Sequence, residues 1–148
     1  MNYMLEALKQ AKKAEQIDEV PVGCVIVKDG KIIARSHNLK ERQKNPLSHA
    51  EINCIQKACK KLDSMYLIDC DMYVTLEPCV MCSGALVHSR LRKVYFGAYD
   101  FKSGAVSTKT NILDLPFLNH KVEYEGGIEQ EKCSSILSNY FKRKRGVK

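Results

Sequence analysis

The chain has 148 residues, 45% of them hydrophobic, which suits one globular domain spanning 1–148 and excludes a disordered chain. Its formal net charge of +7 and pI near 9.0 favour a polyanionic partner, nucleic acid above all, although many soluble proteins are mildly basic. No apolar run approaches a membrane span and MNYMLEALKQ lacks a signal-peptide core, so the expected location is cytoplasmic, away from membranes.

In chain order, residues 2–17 carry Leu5, Leu8 and alanines at 7, 11 and 14 on one face, which predicts a helix. Pro21-Val22-Gly23 ends it. VGCVIVKDGKIIARS reads as a hairpin turning at Asp29-Gly30. NLKERQKNPL, 38–47, reads as a polar loop, and SHAEINCIQKACKKL as a helix capped by Ser48. MYVTL, 72–76, is a short apolar strand. Pro78 opens the next helix, CVMCSGALVHSR, and KVYFGA, 93–98, is another strand. DFKSGAVSTKTN is a loop, ILDLPFLN holds a helical turn, KVEYEG is a last strand and IEQEKCSSILSNYFKRKR a closing helix, with 142–148 a frayed basic tail. Strands alternating with helices predict an α/β sandwich with helices on both faces of a buried sheet.

Seven cysteines, an odd number with no secretion signal, make a disulfide framework a poor reading, so a CxxC points to metal or redox chemistry. Cys79 and Cys82 lie one helical turn apart and can reach one point. His49, at the start of the preceding helix, is the best third ligand. His88 falls about half a turn off the face of Cys79, and His37 and His120 have no partner at a telling spacing. Zinc accepts two thiolates and an imidazole, and a catalytic zinc keeps one position open for water. Cys24 or Cys54 could instead close a structural site as a fourth ligand.

Glu51 has two readings. In the bland one it completes a capping box with Ser48. In the sharper one it is a carboxylate beside the activated water, moving that proton to a ring nitrogen and then to departing ammonia. His49-Ala50-Glu51 followed by Pro78-Cys79-Val80-Met81-Cys82 fits H-x-E…P-C-x-x-C, the signature of zinc nucleobase deaminases, in which the Glu is not a ligand. Two helix N-termini would meet at the site, and their positive ends favour thiolates.

Over nearly its whole length the sequence also resembles the bacterial-type tRNA-specific adenosine deaminases. The resemblance rests on PVGCVIV at 21–27, Asn38, HAEI at 49–52, TLEPCVMCSGALVHSR at 75–90, VYFGAYDFKSGA at 94–105 and YFKRKR at 140–145. It implies a three-layer α/β/α sandwich around a mixed five-stranded sheet, of the cytidine deaminase-like class. It implies one zinc ion per chain on His49, Cys79 and Cys82, Glu51 as the proton shuttle, and a homodimer acting on the wobble adenosine of a tRNA, usually an arginine tRNA. Asn38 matches a position contacting the flipped nucleotide, and Asp100 and Asn119 match positions near the anticodon loop. Tyr140 and Phe141, next to the cations of the closing helix, suit base stacking. Ser48 and Cys24 stand where a small apolar residue or threonine is more usual. Two other readings use the same residues. One is a deaminase of a free base or nucleoside, such as guanine or cytosine, which leaves the basic end without a use. The other is a silent RNA-binding subunit with structural zinc, which leaves Glu51 without one.

Overall fold

The computed structural model describes residues 1–146. Helix α1, Tyr3–Gln16, starts where the Asn2 side chain accepts a hydrogen bond from the Leu5 amide at 3.2 Å. Its buried face holds Met4, Ala7, Leu8, Ala11 and Ala14, and three small alanines let it lie close on the sheet. Strands β1, Gly23–Lys28, and β2, Lys31–His37, form the expected hairpin. Its turn uses φ of +52° at Asp29 and +75° at Gly30, the left-handed pair that a two-residue hairpin needs. A bulge lies between Ile26 and Val27.

Helix α2, Lys40–Gln43, is a turn of helix inside the stretch expected to be a loop. Helix α3, Ala50–Leu62, strand β3, Cys70–Leu76, helix α4, Val80–His88, and strand β4, Lys93–Ala98, follow. A 3₁₀ turn at Ile112–Asp114 and strand β5, Glu123–Glu125, lead to helix α5, Gln130–Lys144. Helix α5 extends through Lys144, over the first residues of the stretch 142–148 expected to fray. Helical hydrogen bonds run on to Arg145 and Gly146, and residues 147–148 lie outside the described residues.

The sheet order is β2-β1-β3-β4-β5, with β1 antiparallel to both neighbours and β3, β4 and β5 parallel. This is the mixed five-stranded sheet expected. Helices α1 and α5 cover one face and α3 and α4 the other. Strand β1 is buried on both sides from Gly23 to Val27, whereas edge strand β2 exposes Lys31 and Arg35.

Strand polarity decides where the site lies. The start of β1 and the ends of β2, β3 and β4 all reach the same rim of the sheet. Four connections therefore meet there: 18–22, 38–49, 77–79 and 99–111. The carboxyl ends of parallel strands in an open α/β sheet are where ligands bind.

Candidate active site

His49 is the residue immediately before α3, and Cys79 the residue immediately before α4. Cys82 follows on the first turn of α4 and is fully buried. The His49 Nδ1 atom lies 3.8 Å from Cys79 Sγ and 3.6 Å from Cys82 Sγ. All three donor atoms sit within 4.8 Å of one another. A tetrahedral zinc with nitrogen at about 2.0 Å and sulfur at about 2.3 Å separates N from S by roughly 3.5 Å, so the three side chains fit one such ion. Among the described residues no fourth His, Cys or carboxylate joins the group, which removes Cys24 and Cys54 as candidates. Those two pair with each other behind the site: the Cys54 thiol points at the Cys24 carbonyl at 3.5 Å. His88 is exposed, and His120 meets the Leu91 carbonyl at 2.7 Å.

The protein's own groups already bias this cluster toward a cation. A hydrogen bond from the Cys82 thiol, working against burial and helped by His49, draws Cys79 down to about 4. Cys82 is correspondingly raised, because it shares its proton with Cys79 and is buried. The same Cys79 sulfur raises His49. A trio of one imidazole and two sulfur donors is compatible with zinc.

Glu51, on the first turn of α3, is only 4% exposed. Burial pushes its carboxyl up to about 7, against the lowering effect of its own backbone amide and of His49. The capping box does not form. His49 rather than Ser48 precedes the helix, and the Ser48 hydroxyl bonds Gln43 at 2.7 Å and Asn53. Ser48 braces the loop before α3, leaving Glu51 free of a capping role.

A cavity of about 140 Å³ opens beside these residues, lined by His49, Glu51 and Cys79 together with Asn38 and Asp100. Asn38 is buried, with its Nδ2 donating to the Val20 carbonyl at 3.3 Å and its Oδ1 accepting from the Lys40 amide at 3.1 Å. The Asp100 carboxylate accepts from the amides of Lys102 and Ser103 and from the Ser103 hydroxyl at 3.0 to 3.1 Å. Asn119 is exposed and lines a separate groove with His88, Arg90 and Phe117. Of these three, Asn38 and Asp100 line the cavity of Glu51 and Asn119 lines the separate groove.

Tyr140 and Phe141 divide as well. Tyr140 is only 5% exposed and donates to the Asp18 carbonyl at 3.3 Å, so its ring is packing surface rather than an open stacking platform. Phe141 is 43% exposed and meets Tyr140 edge to face. Nearby, Arg143 pairs with Glu15 at 3.3 Å and Lys144 with Asp18 at 2.8 Å.

Two carboxylates that sequence reasoning passed over shape the walls. Glu19, 1% exposed, accepts the amides of Glu41 at 3.0 Å and Arg42 at 2.6 Å and so creates α2. Glu77, 2% exposed, does the same for the loop after β4. Burial works to raise the Glu77 pKa, but the hydrogen bonds from Ser107, Thr108 and Asp100 outweigh it and the net shift is downward. An acidic residue inside otherwise apolar strand ends, as in TLEPC, was the available signal.

The sequence model of the MafB19-like deaminases matches residues 1–145. The chain belongs to that deaminase family. Across 143 residues it is 50% identical to the tRNA-specific adenosine deaminase of Aquifex aeolicus, covering 97% of this chain and 94% of that one. It is 48% identical over 146 residues to the tRNA-specific adenosine deaminase of Bacillus subtilis, covering 99% and 91%. A solved chain from work on A-to-I editing by tRNA:A34 deaminases superposes with a TM-score of 0.89 at 39% identity, covering 93% of this deaminase and all of that chain. The cytidine deaminase-like fold expected from the sequence is the fold observed.

Proposed function

We propose that this deaminase converts adenosine to inosine at the wobble position of a tRNA anticodon by hydrolysis, releasing ammonia. One observation carries the chemistry: a single cavity is lined by His49, Cys79 and the buried carboxyl of Glu51, with the Cys82 sulfur within 4.8 Å of the other two donor atoms of the trio. The choice of adenosine in tRNA rests on the full-length likeness to the Aquifex and Bacillus enzymes. His49, Cys79 and Cys82 would hold one zinc ion per chain. Zinc in such a site supplies the Lewis acidity that makes water a nucleophile near neutral pH.

The chain's own residues do the rest. Glu51 accepts a proton from the attacking water and gives it to N1 of the adenine ring. It then takes the proton of the new C6 hydroxyl and gives it to the amine, so that the C6–N bond breaks, ammonia leaves and the C6 oxygen becomes a carbonyl. Burial raises the pKa of Glu51 from the ordinary carboxylate value, which makes it a better proton acceptor while leaving it able to give the proton up again. Its burial keeps bulk water from short-circuiting the transfer.

The base must leave its stack to enter a cavity of this size, which an anticodon loop permits at lower cost than a duplex. Asn38, fixed by Val20 and Lys40, keeps one donor and one acceptor site for the extruded nucleotide. Asp100 lines the same cavity. Phe141 and the cations around it are assigned to the RNA beyond the cavity, with Tyr140 as the packed support beneath, and Asn119 contacts RNA from its separate groove. The family likeness favours a homodimer, an arginine tRNA as substrate, and a cytoplasmic location; no helix among the described residues is long and apolar enough to cross a membrane.

Incubation with total tRNA and, separately, with free adenosine, cytosine and guanine tests the assignment. Inosine at the anticodon of tRNA alone is the expected result. Turnover of a free base with no inosine in tRNA would establish the free-base reading instead.

A further inference from the structure

We infer that Glu77 is a positioning residue for substrate, holding the loop 99–109 as a preformed wall of the cavity; the inference rests on that cavity being the substrate site. Glu77 ends the run from β3 into Pro78 and Cys79, and it is 2% exposed. Its Oε1 accepts the Asp100 amide at 3.1 Å. Its Oε2 accepts three successive amides, Val106 at 3.1 Å, Ser107 at 2.8 Å and Thr108 at 3.0 Å. The Thr108 hydroxyl donates to Oε1 as well.

Five donors converge on one carboxylate, which offers about four lone-pair sites. No acceptor capacity is left for substrate or for moving a proton, although Glu77 borders the cavity. Its role is therefore exerted through the loop. The loop delivers Asp100 and Ser103 to the cavity, and both are tied to the Glu77 anchor within a few bonds, through the Asp100 amide and through Gly104 bonding back to Asp100 at 2.9 Å. Outside this anchor the segment has few bonds to the rest of the fold, such as the Ala105 amide to the Pro78 carbonyl at 2.9 Å. A ring of backbone donors around a buried anion is a self-contained clamp, and removing the charge leaves those amides facing a poorer acceptor.

Gly104 seals the clamp. A Cβ there would lie 2.4 Å from Glu77 Oε1 and 2.6 Å from the Asp100 carbonyl oxygen. Gly104→Ala therefore disturbs the same contact from the loop side, independently of a change at Glu77. A loop that is competent only part of the time raises the apparent dissociation constant by the inverse of its competent fraction, while a substrate that has bound restores the wall. The signature of this role is a rise in KM without a matching fall in kcat.

The experiment compares metal-loaded wild type, Glu77→Gln, Gly104→Ala and the double variant on tRNA, with metal content and amide exchange measured on the same preparations. Each single variant should raise KM about tenfold and leave kcat within about threefold, with the double variant near the singles. Metal content should stay at the wild-type level, and the Val106, Ser107 and Thr108 amides should exchange at least ~10-fold faster. Unchanged KM and exchange in both variants overturns the inference. So does a fall in kcat at constant KM, or loss of metal from Glu77→Gln, which would tie Glu77 to the chemistry or to the ligands. Should Glu77→Gln fail to fold, Gly104→Ala decides by the same readouts. If wild type makes no inosine in tRNA, the functional reading fails separately, and amide exchange still reports whether the loop depends on Glu77.

Discussion

The His49–Cys79–Cys82 trio and the basic end of α5 drew on the same kind of sequence clue, a few chemically telling residues close together, yet the fold uses them differently. His49, Cys79 and Cys82 converge within 4.8 Å because each stands at the start of a helix whose direction is set by the sheet beneath it. At the end of α5, which bonds to the 18–22 connection on the same rim, YFKRKR turns part of its chemistry inward. Tyr140 packs against the core, Arg143 pairs with Glu15 and Lys144 with Asp18. Spacing on a helix start constrains where side chains point, whereas composition on a helix end says only what is available. A cluster of cations near an acidic neighbour partly neutralises itself before any RNA arrives.

The sharpest way to break the contrast is at the ligands. Cys82→Ala should lose bound metal and essentially all turnover, while Phe141→Ala keeps its metal and loses only affinity for tRNA; elemental analysis and an inosine assay across tRNA concentrations read the two. Full metal retention in Cys82→Ala would mean that the trio is not the site.

Next in size is Glu51→Gln, expected to keep its metal and lose roughly a hundredfold to ten-thousandfold in turnover. It also carries a pH signature in chelator-treated protein. Burial raises the folded-state pKa of Glu51 to about 7 from an ordinary value of 4.5. The contribution of a protonated buried carboxyl is complete below pH 4.5 and is lost as pH rises through 7. Glu51→Gln does not titrate, so its stability relative to wild type should grow between pH 5 and 8, by up to about 3 kcal/mol. Parallel stability curves across that range would show that Glu51 is solvated after all.

Within the basic end, packing and exposure should separate adjacent aromatics. Tyr140→Ala removes a buried ring and a hydrogen bond, and should cost about 3 kcal/mol in denaturant unfolding, with Phe141→Ala costing well under half of that. Equal losses would erase the distinction between support and surface.

The smallest effect concerns charge. Among the described residues no ion pair involves Lys142 or Arg145, so they are the cations freest to meet phosphate. Replacing both with Ala should flatten the log–log salt dependence of tRNA binding by about 1.5, and replacing Arg143 and Lys144 by less. Overlaid salt curves for the first pair and wild type would remove this end of α5 from the RNA surface.

Much of the molecule was legible in the sequence because its signals are local. The apolar stripe of α1, the Asp29-Gly30 turn and the KVYFGA strand need only nearest-neighbour geometry, and each lies within a residue or so of expectation. That His49, Glu51, Cys79 and Cys82 come together was legible for a related reason: the proposed zinc chemistry calls for those side chain types, and a helix start restricts their aim. What tertiary structure decided was everything that depends on a partner far along the chain. Helix α2 has no apolar periodicity of its own and forms because Glu19, more than twenty residues earlier, accepts its first amides. Ser48 gave up its cap because Gln43 and Asn53 offered better partners in the folded loop. Asn119 and Asp100 look alike as polar loop residues, but only one of their loops is drawn to the cavity, by the carboxylate of Glu77. Side-chain type and short-range spacing determine what chemistry a segment can perform; burial and long-range hydrogen bonding, which no local pattern encodes, select which segments meet to perform it.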